Sequence, residues 1–504
     1  MDFFAEVKKE LDARKQLTEN GAVGYETTGK ALLDMNFKVA SYRTADEDEI
    51  LSDFVKAYAE DPVLATKWVF YVGDIRQGLG ERRLFRILSK YILSEKTDLI
   101  KFVGEYNRFD SLLELFGTPA EDAMVDFVKE QLDIDVKAVE NGKPCSLLAK
   151  WMPSINTSSE KTKAYARRFI SAFGMSEKEY RKTLSKVRSA IDVIEVKTCS
   201  NRWGEINYNA VPSKANLKYK KSFLKHDETR RREYLDKLEK GDKSVKINAA
   251  AVFPHDIVHQ YGTKFLREKD VTLESMWKAL PDVVPENKNL IVVRDGSYSM
   301  TSKVGGTDIS ALDVATALSV YMAERLPGAL KDKFITFSGT PRMVDMSNCT
   351  NLLDKLRVCK AYDECSNTNI EATFDLLLNV VSKNQMKQEE IPDIMVISDM
   401  EFDECAYDNS SFKGGGFYSP HGISDTLFDN IAAKWKSRGY DMPKLIFWNV
   451  NSRTNTIPVQ QNKYGVALIS GFSQNTVKMA MTNKLDPYEA LKETLLVERY
   501  DVIK

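Results

Sequence analysis

Histidine and cysteine are scarce in this chain, with four of the former and six of the latter in 504 residues. So few histidines leave little material for a His-rich metal site or a Ser-His-Asp triad. The cysteines, at 145, 199, 349, 359, 365 and 405, form no C-x-x-C pair and are expected to be reduced and mostly buried. Long apolar runs are missing too: nothing approaches the ~20 residues that span a bilayer. The opening Met1-Asp2-Phe3-Phe4-Ala5-Glu6 has neither a basic nor an apolar leader region. An intracellular, cytoplasmic protein without membrane contact is expected. Net charge is nearly absent at −1, yet 43% of residues are apolar, which excludes the weakly hydrophobic, highly charged regime of disorder.

What is present divides in two. Up to about Trp277 the pattern is helix after helix, with starts marked by Thr44 and Glu47, Thr157 and Glu160, and Ser176 and Glu179, each spaced as a capping box. Apolar residues recur at steps of three and four, as in Leu64, Trp68, Val69, Tyr71, Val72 and Ile75. Short helix pairs of this kind suit an α-helical repeat module, HEAT-like in type, an α-solenoid or helical array, with no period strict enough to name a repeat family. Near Pro281 the pattern changes, so residues 1–280 and 281–504 are expected to form separate domains. Five strands are expected at Leu290–Val293, Phe334–Phe337, Ile394–Ile397, Leu445–Val450 and Val466–Ile469. Helices over Ala311–Leu326, Asn369–Ser382 and Thr426–Arg438 separate them. Alternation of strand and helix predicts a doubly wound, Rossmann-like α/β domain, with its ligand site beyond the carboxyl ends of the strands.

The first of these strands runs into Asp295-Gly296-Ser297-Tyr298-Ser299. Two more oxygen-rich loops are expected at the same edge: Ser366-Asn367-Thr368-Asn369, opening a helix, and Ser398-Asp399-Met400-Glu401, ending a buried strand. Hydroxyl and carboxylate oxygens are what a small hard cation such as Mg²⁺ selects. The trio resembles the metal-ion-dependent adhesion site of von Willebrand factor A domains. That resemblance implies a divalent cation, Mg²⁺ first, held by Asp295, Ser297, Ser299, Thr368 and Asp399. In it the two aspartates act largely through water, Ser297 and Ser299 bind directly, and Thr368 binds directly or through water. A site so poor in bound carboxylate keeps an open position for an acidic group of a partner. Glu401 and Asp403 read as a solvated loop, so hydrolysis is not expected.

Other phrases carry a wider resemblance: Tyr25-Glu26-Thr27-Thr28-Gly29-Lys30, Asp74-Ile75-Arg76-Gln77-Gly78-Leu79-Gly80-Glu81-Arg82, Lys150-Trp151-Met152-Pro153-Ser154 and Tyr208-Asn209-Ala210-Val211-Pro212-Ser213. With Ser398-Asp399-Met400-Glu401-Phe402-Asp403 and Ser470-Gly471-Phe472-Ser473, they are similar to an uncharacterised family found in bacteria, viruses and eukaryotes. That family in turn resembles, more distantly, the Ro autoantigen family, in which a ring of helical repeats (TROVE) is joined to a von Willebrand factor A domain. The resemblance implies binding of structured or single-stranded non-coding RNA and transfers no RNA-contacting residue by position.

Residues 161–250 bear independently on RNA, carrying about 23 Lys plus Arg against about 11 Asp plus Glu. The candidates for phosphate contact are Arg167, Arg168, Arg181, Lys182, Lys186, Arg188, Lys218, Lys220, Lys221, Lys225, Arg230, Arg231 and Arg232. Tyr165, Tyr180, Trp203, Tyr208, Tyr219 and Phe223 are interleaved with them. An RNA-binding protein is therefore expected; a protein-interaction module whose cation captures an acidic partner is the alternative, and a metal-dependent phosphodiesterase the third. No small-molecule substrate is evident. Gly78-Leu79-Gly80 reads as a turn between helices, His255 and His259 as residues of a proline-started helix, and Gly414-Gly415-Gly416 as a flexible loop.

Overall fold

The computed structural model describes residues 15–191, 193–262, 268–286, 288–337, 340–363, 369–403, 427–458, 465–480 and 486–504. Thr368, Cys365, Cys405 and the three glycines at 414–416 lie outside these. The chain forms two compact units: Met1–Pro62 with Val252–Val497, and Val63–Ala251 with Glu498–Lys504. This differs from a linear division near residue 280. The chain before Val63 belongs to the sheet unit, within which Tyr25 and Ile457 exchange N–H···O bonds of 2.8 Å in both directions.

The sheet unit holds six strands: β3 (Leu290–Asp295), β4 (Lys333–Phe337), β5 (Arg342–Asp345), β6 (Asp393–Ser398), β7 (Leu445–Asn449) and β8 (Val466–Ser470). A hairpin of β1 (Lys15–Leu17) and β2 (Val23–Tyr25) lies apart from them. The order β5-β4-β3-β6-β7-β8 is parallel except for antiparallel β5 at the edge. All five expected strands form. Strands β3, β7 and β8 are buried along their whole length, which is why they read as continuous apolar runs. The edge strand escaped the sequence reading because only Val344 of its four residues is buried. Three helices fall where expected, over Ala311–Arg325, Glu371–Lys383 and Leu427–Ser437. The chain runs outward from β3 through β4 to β5 and returns to β6 on the other side of β3. The carboxyl ends of β3 and β6 therefore meet where the winding reverses, the place where open α/β sheets bind ligands.

The other unit is helical throughout its described residues. Helix Glu177–Ala190 begins with the expected box, Ser176 accepting from the Glu179 amide. Helix Glu160–Phe173 is capped by Ser159 instead of Thr157, and Asp46, not Thr44, stands at the N-cap of Glu47–Glu60 without a side-chain bond. Gly78 and Gly80 make the expected turn between helices Pro62–Gly73 and Arg82–Glu95. The last residues are fastened to the start of this unit: Tyr500 stacks on Tyr106 at 5.6 Å, and buried Asp74 accepts from Arg499 and the Tyr500 hydroxyl.

Candidate functional site

Strand pairing carries Asp295 and Asp399 to one edge, since Arg294 of β3 lies opposite Ile397 of β6. Both carboxylates are fully buried, Ser297 is 1% exposed, and Ser299 is partly open to solvent. The Ser398 hydroxyl donates to Asp295 Oδ2 at 2.5 Å, and the Ser297 amide donates to Oδ1 at 2.9 Å. The Ser297 and Ser299 hydroxyl oxygens are 2.9 Å apart. Gly296, between Asp295 and Ser297, leaves little room for a side chain: a Cβ there would stand 3.0 Å from Thr336 Oγ1 and 3.3 Å from the Phe337 carbonyl oxygen. Met400, just after Asp399, has a φ of 63°, rare outside glycine, and its amide is held by the Ser398 hydroxyl at 2.9 Å. Tyr298, between the two serines, is 71% exposed.

Burial raises both carboxyl pKa values. For Asp295 the hydrogen bonds from Ser398 and Ser297 oppose this. For Asp399 burial and then the neighbouring Asp295 charge push the value up to about 7, while Arg453 and Ser299 pull it back. Two buried acids that resist ionising side by side, with hydroxyls between them and solvent, form a donor set that fits a hard divalent cation. Among the described residues no three His, Cys, Asp or Glu side chains group to hold a metal, so the fit rests on two carboxylates plus hydroxyls. Four of the five expected ligands converge, and Thr368 lies outside the described residues.

Glu401 corrects an expectation. It is not in a solvated loop: it is fully buried and accepts from the amides of Glu19, Arg453 and Thr454 and from the hydroxyls of Ser452 and Thr454. Its oxygens are occupied in pinning the segments at Glu19 and Ser452–Thr454 to the end of β6, which leaves no free lone pair for a general base. Asp403 is partly buried and bridges Gly21 through its backbone. His255 packs against Phe472 at 5.2 Å, on the proline-started helix Pro254–Gln260.

The thirteen basic candidates, all in the helical unit, separate by burial. Arg231 is fully buried, its guanidinium 4.9 Å from the Tyr208 ring and 5.1 Å from those of Phe223 and Tyr234. Arg188 donates to the Ala149 and Met152 carbonyls and Ser154 Oγ. Arg230 donates to the Gly204 and Ile206 carbonyls and to Asp227. These three brace the unit, Arg231 from the interior, Arg188 from a partly buried position and Arg230 from the surface. Arg168 pairs with Glu121, Lys186 with Glu140 and Arg232 with Glu228. Arg167, Arg181, Lys182, Lys218, Lys221 and Lys225 are exposed, and Lys220 is half-buried. Half of the interleaved aromatics face inward: Tyr180 and Phe223 are fully buried and Tyr208 is 5% exposed, while Tyr165, Trp203 and Tyr219 are partly buried.

Helix Ser213–His226 stands out. It contains five lysines and no carboxylate, and Lys214, Lys218, Lys221 and Lys225 follow one another at steps of four, three and four, all exposed. That spacing puts them on a single face, one turn apart, about 5–6 Å along the axis. The signal was present locally, but a count over the whole segment hid it.

Two family models match the chain. One, a domain of unknown function (DUF7788), covers residues 289–499, and another (DUF2828) covers residues 122–290. A full-length relative, the uncharacterized protein L728 of Acanthamoeba polyphaga mimivirus, is 28% identical over 528 residues, covering 96% of this chain and 87% of that one. Among solved structures, the chain is similar to the Ro (RSR) protein of Deinococcus radiodurans, at 12% identity and a TM-score of 0.35 over 95% of each chain. That similarity is too distant to transfer any residue. No helix among the described residues is long and apolar enough to cross a membrane.

Proposed function

We propose that this protein binds RNA through its helical unit and carries a divalent cation, Mg²⁺ first, at the sheet edge. The observation that carries the RNA reading is the carboxylate-free helix Ser213–His226, with Lys214, Lys218, Lys221 and Lys225 on one solvent face. Four like charges in a row repel one another, a cost that a polyanion laid along them removes. Lys218, Lys221 and Lys225 are exposed, in contrast to buried Arg231 and to Arg188, whose guanidinium is spent on the Ala149 and Met152 carbonyls. The contacts are to phosphate and are indifferent to base sequence.

Filter binding of labelled RNA over a salt series tests this reading. Affinity should fall with log salt, with a slope of about −0.7 per neutralised phosphate of a single strand. The double variant Lys218→Glu, Lys221→Glu should weaken binding at least roughly tenfold and flatten the slope by about one to two. Absence of binding, or binding indifferent to salt, removes the reading.

The buried pair Asp295 and Asp399 favours a second role for the sheet unit, capture of an acidic residue of a protein partner. Asp295, Ser297, Ser299 and Asp399 would hold the ion, with Thr368 added by resemblance. The ion supplies a Lewis-acidic position for an incoming carboxylate. Pull-down with and without EDTA, comparing wild type with Asp295→Ala, separates the roles: a partner lost while RNA is retained assigns the cation to protein contact.

A further inference from the structure

At the carboxyl end of the lysine helix, two rings lie face to face: His226 and Trp203, with centroids 4.5 Å apart and planes 9° from parallel. We propose that this pair is a stacking platform for one unpaired base, which makes single-stranded RNA the preferred ligand of the lysine face. The inference rests on the RNA-binding reading above and adds to it the state of the RNA.

The pair is rigid before any ligand arrives. The edge of Trp203 meets buried Phe223 at 6.4 Å and 78°, and its indole N–H donates to Asn201 Oδ1 at 3.0 Å. Its short turn is clamped from below, where Arg230 donates to the carbonyls of Trp203, Gly204 and Ile206. Trp203 is thus fixed against the core, and His226 is the exposed member of the pair. A flat ring held in place loses little freedom when a base lies on it.

Position gives the platform its meaning. Lys225, the last of the four aligned lysines, is the residue immediately before His226. A strand tracked by phosphate contacts along the helix would arrive at the rings with its next base within reach. Lysines alone cannot tell a duplex from a single strand, because both present phosphates. Stacking can, since the base faces of a duplex are already covered by their neighbours. Of the other aromatics of the basic segment, Tyr180, Tyr208 and Phe223 are committed to the interior, and Tyr165 is stacked on Phe116 at 5.1 Å.

The test uses the full-length protein and two fluorescein-labelled probes, a single-stranded oligouridylate and a perfectly paired RNA duplex of equal length, at one salt concentration. His226→Ala and Trp203→Ala should each weaken the single strand by roughly tenfold, the size of one stacked base, and change duplex affinity less than about twofold. Trp203→Phe should restore most of the loss. Lys218→Glu with Lys221→Glu should weaken both probes. If the wild type binds single strands and His226→Ala and Trp203→Ala leave that affinity unchanged, the platform is refuted while the lysine reading stands. If the alanine variants weaken both probes equally, the platform is also refuted. If the wild type binds neither probe, the RNA reading itself fails and the platform goes with it. His226 is exposed and carries no core packing, so its variant keeps the test open should Trp203→Ala fail to fold.

Discussion

The guanidinium of Arg453 lies 3.4 Å from the buried carboxylate of Asp399, while its Nε is held 2.5 Å from Glu19. Arg453 brings positive charge to an edge that gathers acids, as does buried Arg294 beside Asp295. A divalent ion entering there meets that charge, and Asp399 without the ion leans on it.

Arg453→Gln should therefore have opposite effects on the two states. The metal-free protein should melt at a lower temperature, and cation affinity should rise by roughly threefold to tenfold, because a like charge has been removed from the neighbourhood. Thermal melts over a Mg²⁺ titration measure both quantities. A variant that loses cation affinity would show that Arg453 supports the ion instead of opposing it.

Acid should weaken cation binding at the proposed site in a defined interval. The Asp399 carboxyl is pushed up from 3.8 to about 7, first by burial and then by Asp295. A raised acid favours the metal-free fold fully below its unfolded value, and that contribution is lost as pH climbs through the folded value. Cation binding needs the ionised pair, so affinity should rise by up to about tenfold per pH unit toward neutrality and level off above about pH 7. The stabilisation by Mg²⁺, followed by calorimetry from about pH 5.5 to about pH 8.5, should grow and then flatten. An increment independent of pH contradicts the assignment.

The two kinds of basic residue should behave differently in urea. Arg231→Ala removes a fully buried side chain from between three rings and should cost about 2–5 kcal/mol. Arg231→Met keeps the packing and should cost less. Lys221→Ala should change stability by under about 0.5 kcal/mol while weakening RNA binding.

Gly78→Ala tests the turn between the helices Pro62–Gly73 and Arg82–Glu95. A Cβ at Gly78 would fall 1.9 Å from the Tyr71 carbonyl oxygen, which already accepts from the Leu79 amide at 3.1 Å. The expected loss is about 2–3 kcal/mol by chemical denaturation. Gly80, with φ of 70° in the left-handed region, should lose about 1 kcal/mol as alanine.

The sheet was legible because its central strands are buried on both faces and so appear as unbroken apolar runs. Asp295 and Asp399 were legible because each terminates such a run. What escaped depends on partners far away in sequence. The hairpin β1–β2 has three-residue strands, and Gln16 reaches across to the Thr454 carbonyl, 438 positions away. Glu401 shows locally only as a carboxylate after a strand, since its donors come from residues near 19 and 453. Arg188 and Arg231 were read as surface charge because periodicity does not distinguish a guanidinium turned inward from one turned out. The carbonyls around Arg188, and Tyr208 and Phe223 around Arg231, belong to other helices and turns; only Tyr234 shares the helix of Arg231. The Thr157 cap was misread by two positions, since Ser159 offers a hydroxyl as good and closer to the helix start.

The sheet unit is made of chain from both sides of the helical unit, with Tyr25 bonded to Ile457. On a ribosome adding ~5–20 residues per second, residue 16 would wait roughly 20–90 s for residue 454. Residues 63–251 are made during that interval, while the hairpin β1–β2 waits for Thr454 and Ile457, and the helical unit for its last piece, Glu498–Lys504. A strand exposed for so long is a target for holding chaperones and for pairing with a neighbouring nascent chain. Yield in the cell should then respond to translation speed more through the first sixty residues than through the helices that follow.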